Sequence, residues 1–310
     1  MKALGIDLGG TKIHFGVIDA QGNIIDAYKK KTPIQIGGQG ILDLIIHEAK
    51  AILKSHGDMP VGLGTPGLVS YPEGRILGCT PNLPEWNNLQ LKKRLKNALN
   101  VPIHIDNDAN TATWGEFKAG RGQGLEHFVL LTLGTGLGSG IIFNKQLKRG
   151  FSGFGIGFGH MIIQPQGRFC NCGQQGCLEA YVSGNGLQKT FQLKGGDLTQ
   201  KGPDIFKLAS QGDSRAKDSI QEMLFSLSLG LSNILNTIAP QKVFIGGGLA
   251  EQGEKQIIHP LISNIKAIMS MPFQETDIIQ LAQLSSNAGL IGAALLAMDE
   301  EIQWHKQMNK

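Results

Sequence analysis

The sequence predicts an α/β protein of two domains with a cleft between them. Strand-like apolar segments alternate along the chain with segments of helical periodicity. A strand, a glycine-rich turn and a returning strand occur near the start and again about 125 residues later, which indicates an internal duplication. The 310 residues suffice for two modest cores. We expect a small α/β domain of residues 1–117 with the C-terminal helix 288–310, and a large α/β domain of residues 118–287.

The first half opens with a hairpin and continues into a helix. Leu8-Gly9-Gly10-Thr11-Lys12 is the predicted turn, because glycines between apolar runs favour tight turns over flexible linkers. Apolar residues recur at helical spacing over Ile41–Ser55, and Gly57 is a stop signal. The strands predicted for this half are Lys2–Asp7, Ile13–Ile18, Ile24–Lys30, Pro60–Gly64 and Pro102–Asp106.

The second half repeats the hairpin and ends in helices. Its turn is Gly134-Thr135-Gly136-Leu137, between the strands His127–Leu133 and Gly138–Phe143. Arg215–Ile238 carries leucine and isoleucine along one face, which predicts a long helix that Pro240 ends. The remaining predicted elements are the strands Lys242–Ile245 and Ile278–Leu281 and the helix Ala288–Met298.

Composition excludes several classes of protein. A hydrophobic content of 41% and a charged content of 17% are typical of a soluble protein. The net charge of +4 is mild and the basic residues are scattered, which argues against a nucleic-acid partner. No apolar run reaches the roughly 18 residues of a membrane span, and no signal peptide precedes the first strand. We therefore expect a cytoplasmic protein without a membrane partner.

One histidine and three cysteines form a complete set of zinc ligands. His160, Cys170, Cys172 and Cys177 supply the imidazole and the thiolates of a closed tetrahedral site, which leaves no position for a catalytic water. We therefore predict a structural zinc. The alternatives are buried cysteines without a metal and a Cys172–Cys177 disulfide, although four cysteines in this length do not make a disulfide scaffold.

Both glycine-rich turns have the composition of an anion-binding nest. Such a turn aims several backbone N–H groups at one point, and glycine lets them approach phosphate oxygens closely. Two turns across a cleft would hold the β- and γ-phosphates of a nucleotide. Thr11 and Thr135 would add hydroxyls, and Asp7 would orient a hydrated Mg²⁺. The alternative is a pair of ordinary hairpins.

Seven motifs in order along the chain carry a family resemblance. They are Asp7-Leu-Gly-Gly-Thr-Lys12, Pro81-Asn82-Leu83, Asn107-Asp108-Ala109-Asn110, Leu133-Gly-Thr-Gly-Leu-Gly138, Gly159-His160, the Cys-x-Cys-Gly-x-x-Gly-Cys-x-Glu run ending at Glu179, and Gly246-Gly247-Gly248. Together they resemble the ROK family of sugar kinases, bacterial glucokinases and N-acetylhexosamine kinases in particular. The resemblance covers essentially the whole chain, and the cysteine motif with its Gly-His is the most specific part.

The resemblance implies an actin/hexokinase-like ATPase fold and transfer of phosphate from ATP, with Mg²⁺, to a sugar hydroxyl, usually the 6-OH. It implies a homodimer and a place in carbohydrate metabolism such as glycolysis. It assigns nucleotide binding to Asp7, Gly9, Gly10, Thr11, Lys12, Gly134, Thr135, Gly136, Gly246, Gly247 and Gly248.

Phosphoryl transfer needs a base for the attacking hydroxyl. Asp106 and Asp108 both follow a predicted strand, and Asn107-Asp108 would also suit the start of a helix over Ala109–Phe117, so the residues alone leave the base open. The resemblance selects Asp108. It assigns sugar contacts to Asn82, Asn107, Asp108, His160 and Glu179, with His160 also on zinc.

One position departs from the family pattern. ROK kinases usually carry Glu-x-Gly-His, whereas Gly157 stands at the glutamate position here. Losing a charge-assisted hydrogen bond to a sugar hydroxyl costs about 1.5–3 kcal/mol. The leading hypothesis from the resemblance is a glucose 6-kinase. Because Gly157 replaces the usual glutamate, the alternatives are an N-acetylhexosamine, mannose or fructose kinase or a non-catalytic sugar-binding relative.

Two other classes fit less well. Sugar-responsive repressors of the ROK family carry a helix-turn-helix before the first phosphate turn, and here Asp7 comes almost at once. A zinc hydrolase needs an open metal position, which a fourth ligand fills.

Overall fold

The computed structural model describes residues 1–78, 80, 83–153, 157–269 and 277–308, with side chains as far as residue 302. Its strands are β1 (Lys2–Leu8), β2 (Lys12–Asp19), β3 (Ile24–Lys31), β4 (Val61–Thr65), β5 (Leu68–Val69), β6 (Ile76–Gly78), β7 (Ile103–Asn107), β8 (His127–Leu133), β9 (Leu137–Phe143), β10 (Gln146–Lys148), β11 (Lys242–Gly246) and β12 (Ile279–Leu281). Its helices are α1 (Gly37–His56), α2 (Leu91–Leu99), α3 (Asp108–Ala119), α4 (Glu179–Val182), α5 (Gly184–Leu193), α6 (Gly202–Ser210), α7 (Ser214–Ile238), α8 (Ile258–Ile268) and α9 (Ala288–Met308).

The first sheet has the strand order β3-β2-β1-β4-β7. The β1–β2 pair is antiparallel, whereas β1, β4 and β7 run parallel to one another. Parallel strands end at one edge of a sheet, where ligand-binding groups of α/β proteins gather. Asp7 near the end of β1 and Asp108 directly after β7 therefore come to the same edge.

Glycines bring α9 close to this sheet and to α3. A side-chain carbon added at Gly5 of β1 or Gly62 of β4 would meet a backbone carbonyl of α9. One at Gly115 of α3 or Gly292 of α9 would meet a carbonyl of the facing helix. These glycines therefore serve close packing rather than turns, a role that the clustering of glycines in the sequence did not indicate.

The second sheet has the strand order β10-β9-β8-β11-β12. Strand β11 pairs in parallel with both β8 and β12. Gly246 ends β11, and Gly247 follows at φ 83°, a left-handed conformation that favours glycine. A side-chain carbon at Gly247 would meet the backbone of Leu133, so the predicted glycine triplet packs against the end of β8.

The chain divides into two compact units. The first comprises Met1–Leu125, Gly140–Ile156 and Asn287–Lys310, and the second comprises Glu126–Ser139 and Gly157–Ser286. The predicted α/β class is confirmed, while the predicted domain bounds stay a prediction.

The last helix extends beyond the segment Ala288–Met298 for which the sequence predicts helical structure, since α9 runs to Met308. Polar residues of this extension find partners, since Asp299 accepts from Trp114 Nε1 at 3.0 Å and Glu300 accepts from the Tyr71 hydroxyl at 2.8 Å. A search of the described part of the chain finds no helix that is long and apolar enough to cross a membrane.

Candidate functional site

Asp7 is a mostly buried carboxyl with an unusual proton affinity. Its pKa is raised to about 7, first by burial and then by the charge of Asp108, while the charge of Lys29 acts in the opposite direction. Burial and a neighbouring acid both disfavour a carboxylate with an uncompensated charge. Such a group therefore binds a proton or a cation. The surroundings of Asp7 therefore fit the predicted role in holding a hydrated Mg²⁺.

The first glycine-rich turn is held by the sheet itself. Gly9 N donates to Lys12 O at 2.9 Å and closes the turn between β1 and β2. Thr32, directly after β3, donates its hydroxyl to Gly9 O at 2.7 Å and its backbone N–H to Thr11 O at 3.0 Å. Thr11 and Lys12 are exposed, as a nest for an external anion requires.

Asp108 begins α3, and Asn107 is the N-cap of that helix. Asn107 Oδ1 accepts from Ala109 N at 2.9 Å and from Asn110 N at 3.3 Å, the pattern typical of an N-cap asparagine. Burial raises the pKa of Asp108, against the backbone N–H of Ala109, which lowers it. Asp108 thus has the raised proton affinity that suits a general base.

The neighbouring Asp106 is engaged by other groups. Its Oδ2 accepts from Arg149 Nε at 2.6 Å, and its Oδ1 accepts from Asn107 N and Asn110 Nδ2, each at 2.8 Å. Both oxygens of this carboxylate are therefore occupied by donors within the protein, one of them a charged guanidinium. The structure therefore distinguishes Asp106 from Asp108 as candidates for the base, which strand alternation alone could not do.

The second glycine-rich turn is stabilised by residues that lie outside the two strands it connects. Gly134 N donates to Gly136 O at 3.0 Å, and Gly184 N at the start of α5 donates to Gly134 O at 2.8 Å. Leu137 N donates to Glu179 Oε2 at 2.8 Å, across 42 residues of chain. A side-chain carbon at Gly136 would meet the same carboxylate oxygen.

The one histidine and three cysteines of the predicted cluster come together. The ligand atoms of His160, Cys170, Cys172 and Cys177 all lie within 4.8 Å of one another. Cys172 Sγ and Cys177 Sγ are 3.7 Å apart and Cys170 Sγ is 3.8 Å from His160 Nδ1. Bonds of 2.3 Å to a tetrahedral zinc give a ligand–ligand spacing of about 3.8 Å, so the donor set fits this metal.

The disulfide alternative is wrong. A disulfide joins its sulfurs at about 2.0 Å, and Cys170, Cys172 and Cys177 are free thiols here.

Glu179 connects the cluster to the second turn. Its Oε1 accepts from Cys170 Sγ at 3.4 Å, while its Oε2 accepts from Leu137 N. Sequence reasoning assigned Glu179 to the sugar and missed this link, because nothing in local spacing relates a carboxylate to an amide so distant in the chain.

The predicted site residues fall into two groups. Within the first unit the structure gathers Asp7, Asp108, Asn107 and the first turn; within the second it gathers the second turn, Glu179, the ligand cluster and the glycine triplet. Asn82 lies outside the described residues.

Two glycine-rich turns, a capped aspartate at a strand end and a Cys3His cluster are the features on which the resemblance to sugar kinases rests, and the structure contains all of them. The profile of the ROK family matches residues 3–300, and the chain belongs to the ROK family. Glucokinase of Streptomyces coelicolor is 34% identical over 315 residues, covering 96% of this chain and 98% of the relative. N-acetylmannosamine kinase of Shigella boydii is 33% identical, covering 97% of this chain and all of the relative.

A solved structure agrees with the fold. A ROK-family glucokinase from Streptomyces griseus, in complex with glucose and AMPPNP, superposes with a TM-score of 0.85 at 32% identity, covering 96% of this chain and 100% of that one. The predicted actin/hexokinase-like fold is confirmed.

Proposed function

We propose that this protein is an ATP-dependent hexokinase that phosphorylates glucose at the 6-OH, with Asp108 as general base. Full-length similarity to glucokinases supports the reaction class. The observation that carries the assignment of the base is the contrast between the two acids after β7. Asp106 is hydrogen-bonded and ion-paired to Arg149, whereas burial raises the pKa of Asp108.

The proposed reaction is a single displacement. Asp108 takes the proton of the sugar hydroxyl while that oxygen attacks the γ-phosphorus of ATP and the bond to the β-phosphate oxygen breaks, releasing ADP. Asp7 would hold a hydrated Mg²⁺, whose charge would offset that of the phosphates. Backbone N–H groups of both glycine-rich turns bind the phosphates, and Gly246, Gly247 and Gly248 let the adenosine approach the chain.

Sugar contacts are assigned to Asn82, Asn107, Asp108, His160 and Glu179. Amide and carboxylate groups each engage two neighbouring hydroxyls, which suits a polyol. A structural zinc on the Cys3His cluster would fix the ring of His160 and its free nitrogen. A homodimeric state and a role in glycolysis belong to the same proposal.

The test is an ADP-release assay across glucose, mannose, fructose, N-acetylglucosamine and N-acetylmannosamine. We expect glucose to give the highest kcat/KM and Asp108→Asn to lower kcat by about 10²–10⁴-fold. Asp213→Asn is the matched control, because Asp213 is also an aspartate at a helix start, as the N-cap of α7. Turnover that survives Asp108→Asn, or no turnover with any of these sugars, refutes the proposal.

Gly157 favours a second candidate, a sugar-binding protein without kinase activity. Among described residues, a side-chain carbon at Gly157 would have His160 Cδ2 as its neighbour within 4 Å, at 3.5 Å, and the backbone at φ −87° accepts any residue. Gly157→Glu should therefore fold. If the missing carboxylate limits glucose binding, calorimetry will show the Kd for glucose falling about tenfold in Gly157→Glu. Sugar binding without ATP consumption in the unmodified protein favours this second candidate.

A further inference from the structure

An ion-pair network adjoins the start of α3. Arg149 donates from Nε to Asp106 Oδ2 at 2.6 Å, and its guanidinium carbon lies 3.9 Å from the centre of the Tyr71 ring. Its Nη2 is 3.7 Å from Glu300 Oε1, which also accepts from the Tyr71 hydroxyl at 2.8 Å. The Arg149 side chain is 15% exposed and that of Asp106 is 3% exposed. Breaking such a buried pair by removing one partner is costly.

Asp106 uses its second oxygen to hold the first turn of α3. Oδ1 accepts from Asn107 N and from Asn110 Nδ2, both at 2.8 Å. Asn107 in turn caps the helix through Ala109 N at 2.9 Å and Asn110 N at 3.3 Å. Asp108 therefore lies between residues that depend on the Asp106 carboxylate. Asn107 and Asn110 bond to it directly, and Ala109 is connected to it through Asn107.

We propose that Arg149 is a positioning residue for Asp108, acting through Asp106 and the first turn of α3. The inference rests on the proposed function, in which Asp108 is the base. Without Arg149, the buried Asp106 carboxylate loses its cationic partner and is no longer held in its present orientation. A change of that orientation weakens the acceptor contacts that hold Asn107 and Asn110.

The decisive variant is Arg149→Met, which keeps the unbranched apolar stem and removes the guanidinium. A reacting group displaced by about 1 Å costs about 10²-fold in rate, so we expect kcat to fall by about that factor. The KM for ATP should stay within about twofold, because no phosphate-binding turn is touched. Arg149→Lys keeps the charge but not the planar fork and should lose about tenfold. If Arg149→Met does not fold, Arg149→Lys carries the test.

A second readout does not depend on activity. Amide hydrogen exchange at Ala109 and Asn110 reports the first turn of α3 directly. We expect exchange at these two amides to be at least about tenfold faster in Arg149→Met than in the unmodified protein.

Two arginines serve as controls. Arg168 in the second unit pairs with Glu222 at 2.6 Å and lies 4.6 Å from the Tyr181 ring, so Arg168→Met also removes an arginine that pairs with a carboxylate and lies over a tyrosine, without touching α3. It should lower stability and leave exchange at Ala109 and Asn110 unchanged. Arg94 of α2 makes a surface pair with Asp43 at 3.7 Å, and Arg94→Met should leave kcat unchanged.

The outcomes separate this inference from the proposed function. Slow turnover with an unchanged KM for ATP and faster exchange at the two amides support it. Unchanged kcat, unchanged exchange, or equally fast exchange in Arg168→Met overturns it. If the unmodified protein phosphorylates no sugar, the proposed function fails. Exchange in Arg149→Met then decides the positioning role by itself: faster exchange supports it and unchanged exchange overturns it.

Discussion

The two glycine-rich turns are alike in sequence and differ in what holds them. The turn after β1 is fixed by its own hairpin and by Thr32 at the end of the next strand. The turn after β8 is fixed by Glu179 and by the start of α5, which lie outside its sheet. Glu179 also contacts Cys170 of the ligand cluster. Two turns with the signature of one duplicated unit have thus acquired different supports.

This difference has a consequence for regulation and robustness. The first turn follows the strand that carries Asp7, whose pKa lies at about 7, so pH is the condition that should affect this part of the molecule. The second depends on a segment organised by the Cys3His cluster, so metal content should affect it. Metal removal and Gly136→Ala perturb the surroundings of the second turn, whereas Asp7→Asn and Thr32→Val perturb those of the first.

Metal removal should have the largest effect. Stripping zinc from the Cys3His cluster removes the metal that joins Cys170, Cys172 and Cys177. The free energy of unfolding should fall by several kcal/mol. Because the segment that ends at Glu179 then loses the metal that organises it, the KM values for both sugar and ATP should rise. Thermal unfolding and kinetics before and after chelation check this, and added zinc should restore both. Chelation that removes the metal and leaves stability and KM unchanged contradicts it.

Asp7→Asn should have the next largest effect, and its sign depends on pH. The pKa of Asp7 lies near 3.8 in the unfolded chain and about 7 in the fold, so folding favours the protonated form. Stability contributed by this proton is complete below about pH 4 and is lost as pH rises through 7. Without Mg²⁺ at pH 8, Asp7→Asn should therefore be more stable than the unmodified protein by up to about 4 kcal/mol.

Urea unfolding at several pH values measures this difference. The advantage of Asp7→Asn should shrink toward zero below about pH 4. Asp43→Asn is the control, since the Asp43 side chain is 61% exposed and should show no such dependence. Stability curves of Asp7→Asn and the unmodified protein that run parallel from pH 4 to 8 would falsify the assignment.

Gly136→Ala and Gly134→Ala should show whether the contact with Glu179 stabilises the second turn. Both add a methyl group to the turn, and the methyl group at position 136 would displace Glu179. The added carbon at position 136 would meet Glu179 Oε2, whose displacement breaks the bond from Leu137 N. At position 134 the nearest described atom would be Gly136 O, at 4.0 Å. We expect Gly136→Ala to lose about 1–3 kcal/mol and to raise the KM for ATP, with Gly134→Ala near neutral. Equal losses would mean that Glu179 does not support this turn.

The sequence predicted those parts of the fold and site that depend on local pattern. Alternating strands and helices indicated the α/β class, and glycines between apolar runs indicated both turns. Parallel strands explain why Asp7 and Asp108 share an edge. The Cys3His spacing indicated a cluster whose ligand atoms do converge.

The parts that escaped prediction are contacts between distant segments. No local pattern marks Gly5 and Gly62 as packing glycines. Glycine is needed at these positions because α9, more than 200 residues away in the chain, packs against them. Asp106 and Asp108 differ by the presence of Arg149, which no spacing rule connects to them. Glu179 was assigned to the sugar, and its bond to Leu137 became visible only in the fold.

Thr32→Val should give the smallest effect and sharpen the comparison from the side of the first turn. Valine keeps the shape of Thr32, which is 2% exposed, and removes the hydroxyl that donates to Gly9 O at 2.7 Å. One buried hydrogen bond contributes about 1 kcal/mol, so the unfolding free energy should fall by that amount and the KM for ATP should rise a few-fold. Ser228→Ala is the control, because it removes a buried hydroxyl donating to Leu224 O at 2.8 Å within α7 and should lower stability without changing the KM. Since Thr32 has no connection to the cluster, its effect on the KM should add to that of chelation rather than disappear with it. A KM that Thr32→Val leaves unchanged would show that the hairpin holds the first turn without help from β3.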